Sequence, residues 1–339
     1  MKTIKAITHK LPGILFAAAI AVPAWLLGEQ FPIVGSPVLG ILFGMLLAFW
    51  KRPAALEGGI TYTSKKLLQY SIILLGFDMN LFNVFQVGGQ TLLLMVFTLT
   101  AAFAAAFVFG KLLRVNRTLN ILIGVGTAIC GGSAIAATAP VIGADDEEVA
   151  SAISTIFLFN VLAAFLFPFF GHVLQMSDTN FGLWAGTAIN DTSSVVAAGY
   201  TYSDAAGNLA VIVKLTRTLM IIPVTLALAF LFSRTQAKRK AGEPGKTADY
   251  RLTKIFPWFV LGFVAASLIS TFLPALISPQ TGRLLAKAGK FVIVMAMSAI
   301  GLNTNLVKLV KNGAKPILLG LACWAVLAAV SLLVQYTLL

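Results

Sequence analysis

The 339-residue chain carries 58% hydrophobic and 11% charged side chains, and its mean hydropathy is +0.91. A soluble domain uses roughly 25% charged residues to coat its surface, so this composition excludes soluble enzymes, disordered scaffolds and fibrous proteins. The formal charge of +13 would suggest nucleic acid in a soluble domain; in an all-α polytopic membrane protein it reflects basic cytoplasmic loops, and no nucleic-acid partner is expected.

Apolar runs near the roughly 20 residues needed to cross a bilayer predict about eleven segments, at 11–28, 34–50, 65–82, 91–110, 118–143, 149–174, 179–202, 207–233, 255–273, 284–302 and 316–336. The first follows MKTIKAITHK, which resembles a signal-peptide n-region, with Val22-Pro23-Ala24 placed like a cleavage site. Many spans follow and the run is long enough to stay as an anchor, so it is read as retained.

Basic residues orient the chain. Lys2, Lys5 and Lys10 precede the first segment, and Lys51, Arg52, Lys65 and Lys66 fall in the second connection. Lys111, Arg114 and Arg117 follow the fourth segment, and Lys308, Lys311 and Lys315 the tenth. With the stretch 234–254, which reads as a flexible cytoplasmic linker, they make 20 of the 25 basic residues, all on one side. The N-terminus is then cytoplasmic and the C-terminus outside. Of the other five, Arg283, Lys287 and Lys290 share a face of segment 10, as an interfacial snorkelling stripe or an anion-attracting vestibule. Asp78, Asn80, Asn303 and Asn305 read as helix-end caps rather than ligands.

Two segments are interrupted. In segment 5, Gly131-Gly132 breaks the helix and Ser133 is placed to cap the next half. In segment 7, Asn190, Asp191, Thr192, Ser193 and Ser194 form a polar run that is costly in a membrane unless it meets water, ligand or itself. Unwound backbone at depth is tolerated only where it lines a cavity or is buried in protein. A helix N-terminus after each break would attract an anion. Lys214 and Arg217 lie on one face of segment 8; Lys214 could snorkel, whereas Arg217 needs either Asp191 or a bound anion as partner.

Two self-similarities accompany the breaks. Residues 76–81 (GFDMNL) match 301–306 (GLNTNL) at offset 225, and 126–130 (GTAIC) match 186–190 (GTAIN) at offset 60. Duplicated units are the usual architecture of secondary transporters. Pairing segments 3–4 with 10–11 and 5–6 with 7–8 as inverted repeats requires segments 5 and 7 to be re-entrant, giving nine spans plus two hairpins; eleven full spans is the alternative.

GTAICGGSAIAATAP, then INDTSSVVAAG, then a helix bearing Lys and Arg resembles the proposed sulfate exporter family of bacterial inner-membrane proteins, over nearly the whole chain. More distantly it is similar to the bile acid/sodium symporter and cation/proton antiporter superfamily. The resemblance implies a multi-pass inner-membrane transporter in which a core slides past a scaffold, elevator-fashion, in a homodimer. It implies N-terminal scaffold helices (1–60), the first repeat and broken-helix core (61–233), the linker (234–254) and C-terminal scaffold and repeat helices (255–339). Relatives often carry histidine at the position of Asn190, so a histidine proton relay is in doubt here.

The expected function is outward secondary transport of a small anion, a sulfur oxyanion such as sulfate, sulfite or a sulfonate, with H+ or Na+ as candidate coupling ions and uniport or anion exchange as the alternatives. Thr127, Cys130, Gly131, Gly132 and Ser133 would form one wall, Asn190, Asp191, Thr192, Ser193 and Ser194 the other, with Lys214 and Arg217 balancing charge. The alternative is a cation/proton antiporter or sodium-coupled importer. No G-x-x-x-x-G-K-[ST], H-E-x-x-H or G-x-S-x-G motif occurs, so neither ATP coupling nor an enzyme is expected. No metal or cofactor is expected either.

Overall fold

The computed structural model describes residues 10–31, 35–239, 258–273, 277–304 and 313–338, and no strand occurs among them. Helix α1 (Leu11–Gln30) is followed by α2 (Ser36–Leu47) and α3 (Ala54–Tyr62), which runs through a π-turn (Thr63–Leu67) into α4 (Leu68–Leu75). Asn80 opens α5 (Leu81–Leu112), its Oδ1 accepting from Phe82 N at 2.8 Å, so its reading as a cap holds. Asn116 caps α6 (Arg117–Ala128) in the same way. After α7 (Gly132–Ile142), an Asp145/Glu148 capping box starts α8 (Asp146–Val173).

Then come α9 (Asp178–Ala188), α10 (Thr192–Tyr202) and α11 (Asp204–Leu219), with Ser177, Asp191 and Ser203 as side-chain caps. The run expected as one segment at 207–233 is divided at Met220, where α12 (Ile221–Arg239) begins. Pro223 has no N–H to give the Leu219 carbonyl, so the ladder fails there. Helices α13 (Trp258–Phe272), α14 (Pro279–Asn303) and α15 (Ala314–Leu338) complete the order.

Six of the described helical stretches are long and apolar enough to cross a membrane. Helix α2, at 12 residues, is only about 18 Å long. Helix α12 takes the first residues of the stretch read as a linker; the rest of it, with Lys2, Lys5, His9, Asn305, Leu306, Lys308 and Lys311, lies outside the described residues.

Hydrogen bonds between distant ends define how the broken segments run. Ser203 Oγ donates to Asp178 Oδ1 at 2.7 Å, Tyr202 Oη donates to the Met176 carbonyl, and the Phe181 and Tyr202 rings stack at 3.9 Å. The α9–α10 unit thus begins and ends at one end of the molecule. Likewise Asn116 Nδ2 donates to Glu148 Oε1 at 2.6 Å, joining the start of α6 to the first turn of α8, just after α7. Between the two junctions runs α8, whose 28 residues rise about 42 Å. The hairpins therefore enter from opposite ends of α8.

The helices pack in two groups. In the first, α14 lies against α1, α2, the π-turn and α4, and α13 against α4. Helices α2 and α14 meet backbone to backbone: a Cβ on Gly44 would stand 2.2 Å from Ser298 O, and one on Gly301 2.2 Å from Ile41 O. In the second, α11 packs on α9 and α10, α15 on α5, α6, α8 and α9, and α12 on α7. An apolar cluster including Ile72, Leu75 and Met297 from the first group and Val196, Val211 and Leu215 from the second joins them.

Candidate functional site

Both broken segments interrupt at equivalent places. Helices α6 and α9 end at Ala128 and Ala188, and α7 and α10 begin at Gly132 and Thr192, each pair separated by the sequence offset of 60. A helix that ends inside the molecule leaves its last four carbonyls without intrahelical donors. In α6, Ile129 N donates to Val125 O at 3.1 Å and Gly131 N to Gly126 O at 2.9 Å. The remainder are taken by α11.

Arg217 Nε donates to Ala128 O at 2.7 Å and Nη2 to Thr127 O at 2.8 Å, while Nη1 donates to the Thr187 carbonyl. Lys214 Nζ donates to Ile129 O and Ile189 O, both at 2.9 Å. Each cation therefore joins carbonyls related by the offset of 60, Thr127 with Thr187 and Ile129 with Ile189. Both residues are 0% exposed, and the negative ends of two helices favour them there. Lys214 does not snorkel: its ammonium faces the crossing of the two breaks because carbonyls there need donors. Nor is Arg217 ion-paired with Asp191, because its three nitrogens all donate to carbonyls.

The second half-helices start differently. Asp191 caps α10, its Oδ2 accepting from Ser193 N at 3.0 Å and from Ser193 Oγ. The residue before α7 is Gly131, at φ 70°, and no side chain caps that helix. The expected capping by Ser133 is thus not found: Ser133 already lies inside the first turn, because the positive-φ backbone of Gly131 starts the helix earlier.

A cavity of about 670 Å³ lies over both starts and between the two helix groups. Gly132 and Ser133 line it from α7, Asp191, Thr192 and Ser193 from the second break, and Lys65 and Asn303 from the first group. Of the residues singled out in the sequence, the cavity brings together Gly132, Ser133, Asp191, Thr192 and Ser193. Thr127, Cys130, Lys214 and Arg217 are buried behind it, and Ser194 is buried within α10. Asn190 is 0% exposed, and neither of its amide atoms has a partner.

Sequence reasoning missed Asn160 of α8, which lines the cavity at 2% exposure with its Oδ1 unpartnered. Its signal was a single amide inside the apolar run IFLFNVLAAFLF. Lys65 and Asn303 were read only as loop charge and cap. At the other end of the group boundary, Arg283, Lys287 and Lys290 line a second cavity of about 640 Å³ with Glu29, Asp78 and Asp204. There Lys290 Nζ pairs with Asp204 Oδ2 at 2.7 Å and lies 5.4 Å from the Tyr200 ring centroid.

The family model described as conserved hypothetical protein 698 matches residues 12–320. A UPF0324 membrane protein of Streptococcus mutans is 48% identical over 337 residues, covering 97% of this chain and 98% of its own. One from Streptococcus pyogenes serotype M6 is 49% identical over 340 residues, covering 98% of each chain. One from Fusobacterium nucleatum is 45% identical over 347 residues, covering 96% of this chain and 98% of its own. No solved structure matches. With six stretches among the described residues long and apolar enough to cross a membrane, the chain is a multi-pass protein of the bacterial inner membrane and belongs to the UPF0324 membrane protein family, the family of conserved hypothetical protein 698.

Proposed function

We propose that this protein is a secondary transporter, not an enzyme, and that its cargo is a small anion bound in the cavity over the two helix breaks. The observation that carries this reading is the cavity's position: it lies between two helix groups and is lined by the starts of both second half-helices. Helix N-termini attract anions, and a boundary between separately packed groups is where alternating access would operate. The resemblance of the two break motifs to the sulfate exporters makes sulfate, sulfite and small sulfonates the first candidates, moved outward.

The proposed motion is an elevator-like shift of the group built on α5–α12 and α15 past the group built on α1–α4, α13 and α14. That grouping puts α4 and α14, segments 3 and 10, with the scaffold. Hairpins entering from opposite ends of α8 fit an inverted pair, and the charge rule favours a cytoplasmic N-terminus. A dimer through the scaffold is part of the same proposal.

A sodium-coupled importer or cation/proton antiporter is the second reading, favoured by the Asp191 carboxylate in the cavity. Against it, the carbonyls of Thr127, Ala128, Ile129, Thr187 and Ile189, which could have ligated sodium, already accept from Lys214 and Arg217. The test is flux of radiolabelled sulfate, sulfite and methanesulfonate into liposomes holding the purified protein, under imposed pH and sodium gradients. Anion flux independent of sodium is expected. Sodium flux without anion flux would replace this reading with the second.

A further inference from the structure

The two helix starts in the cavity are not equivalent, and the difference bears on what they can hold. At α10 the acceptor is built in, because the Asp191 side chain caps the first turn. At the 11-residue α7 the corresponding residue is Gly131, and the place a side chain would take is open. A Cβ built on Gly132 would meet nothing within 4 Å. A Cβ on Gly131 would stand 3.5 Å from Asn160 Nδ2 and 3.6 Å from Asp191 Cβ. Asn160 is 2% exposed, its Oδ1 has no partner, and its amide lies beside the α7 start.

The N-cap residue of α7 offers no side-chain acceptor, so a ligand could accept from the first N–H groups, and it would then sit beside a carboxylate. Lys214 and Arg217 of α11 keep their charge behind Asp191 but give their hydrogen bonds to carbonyls, so the carboxylate oxygens are left to accept from a ligand's donor. Cys130 in the first break is buried, and Lys65 of the π-turn lies elsewhere on the cavity wall. A second negative charge on a ligand is repelled at this range, whereas a donor on the ligand would meet Asp191 favourably.

We propose that the α7 start seats the transported anion, and that Asp191 beside it selects a singly charged oxyanion group carrying its own O–H or N–H donor over bare dianions and donor-free monoanions. This rests on the transport reading and narrows its cargo: hydrogen sulfite and aminosulfonates fit, and sulfate does not.

The experiment is equilibrium binding to the purified full chain at mildly acidic pH, with hydrogen sulfite, aminomethanesulfonate, methanesulfonate and sulfate as probes. The two donor-bearing probes are expected to bind about tenfold or more tighter than the other two. Asp191→Asn should erase that gap and Asp191→Glu keep it. Gly132→Ala, which has room for its methyl group, should weaken every probe at an unchanged melting temperature, which guards against a misfolded Asp191 variant. Sulfate or methanesulfonate binding as tightly as the donor-bearing probes, or a gap that survives Asp191→Asn, overturns this proposal and leaves the transport reading standing. Binding of none of the four probes overturns both.

Discussion

Arg217 Nη2 donates to the Thr127 carbonyl at 2.8 Å, at the end of α6, while its neighbour Nη1 serves Thr187 at the end of α9. One planar guanidinium thus closes two helices related by the internal offset, something the point charge of lysine is not shaped to do. Removing it leaves three buried carbonyls without donors, at a cost of about 3 kcal/mol or more. Arg217→Met should markedly lower the melting temperature in detergent, and Arg217→Lys should recover only part of the loss. A stable Arg217→Met protein that has lost only anion binding would show instead that this residue acts on the ligand.

The Ser203–Asp178 and Asn116–Glu148 hydrogen bonds lie at opposite ends of α8. Single cysteines at Asp178 and Asp204 should react with an impermeant maleimide from one side of the membrane, and one at Glu147 from the other. These three positions label the ends of the two hairpins. If Asp178→Cys and Asp204→Cys label from opposite sides, the broken segment spans the membrane and the re-entrant path is wrong.

Both native cysteines are buried, Cys130 at 4% and Cys323 at 0% exposure. Neither should react with a hydrophilic thiol reagent in the folded protein. Ser133, three residues beyond Cys130, is exposed and lines the cavity. Ser133→Cys in a background lacking Cys130 and Cys323 should be modified readily, and slowly once a bound anion fills the cavity. Equal labelling rates with and without every anion tested would count against the site.

Gly131 holds φ 70° and ψ −129°, a mirror-β conformation that glycine adopts readily and that costs another residue about 1–3 kcal/mol. Its added Cβ would meet only ordinary contacts, at 3.5 and 3.6 Å. Gly131→Ala should therefore lower stability through backbone strain, while its methyl group crowds the start of α7. Anion flux should fall by about tenfold or more, since a 1.4 kcal/mol loss in binding is tenfold. Normal flux with lowered stability would make Gly131 a purely conformational requirement.

How legible these features were depends on the kind of force involved. The breaks at Gly131-Gly132 and at Asn190-Asp191 are visible in one dimension, because glycine pairs and polar runs conflict locally with an apolar helix. The capping role of Asn80 is equally local. Lys214 and Arg217 were located, but not their partners: a sequence suggests a carboxylate or an anion, and the acceptors here are backbone carbonyls 25 to 90 residues away. Every residue has such a carbonyl, so nothing in the side-chain pattern marks these five. Asn160 was overlooked for the same reason, since its neighbours at the α7 start belong to another segment.

The charge excess with which the chain presents itself was determined by sequence alone. Apolar length and the placement of basic residues follow from transfer free energy, segment by segment, and they identify a polytopic membrane protein without any knowledge of packing. The offset of 60 is likewise a property of the linear chain. Which half-helix ends are closed by the protein's own groups, and which start carries no side-chain cap, was decided only by tertiary structure. Hydrogen-bond satisfaction in a medium without water is settled between segments. Two buried cations close the helix ends, Asp191 closes one helix start, and Gly131 leaves the other open to the cavity.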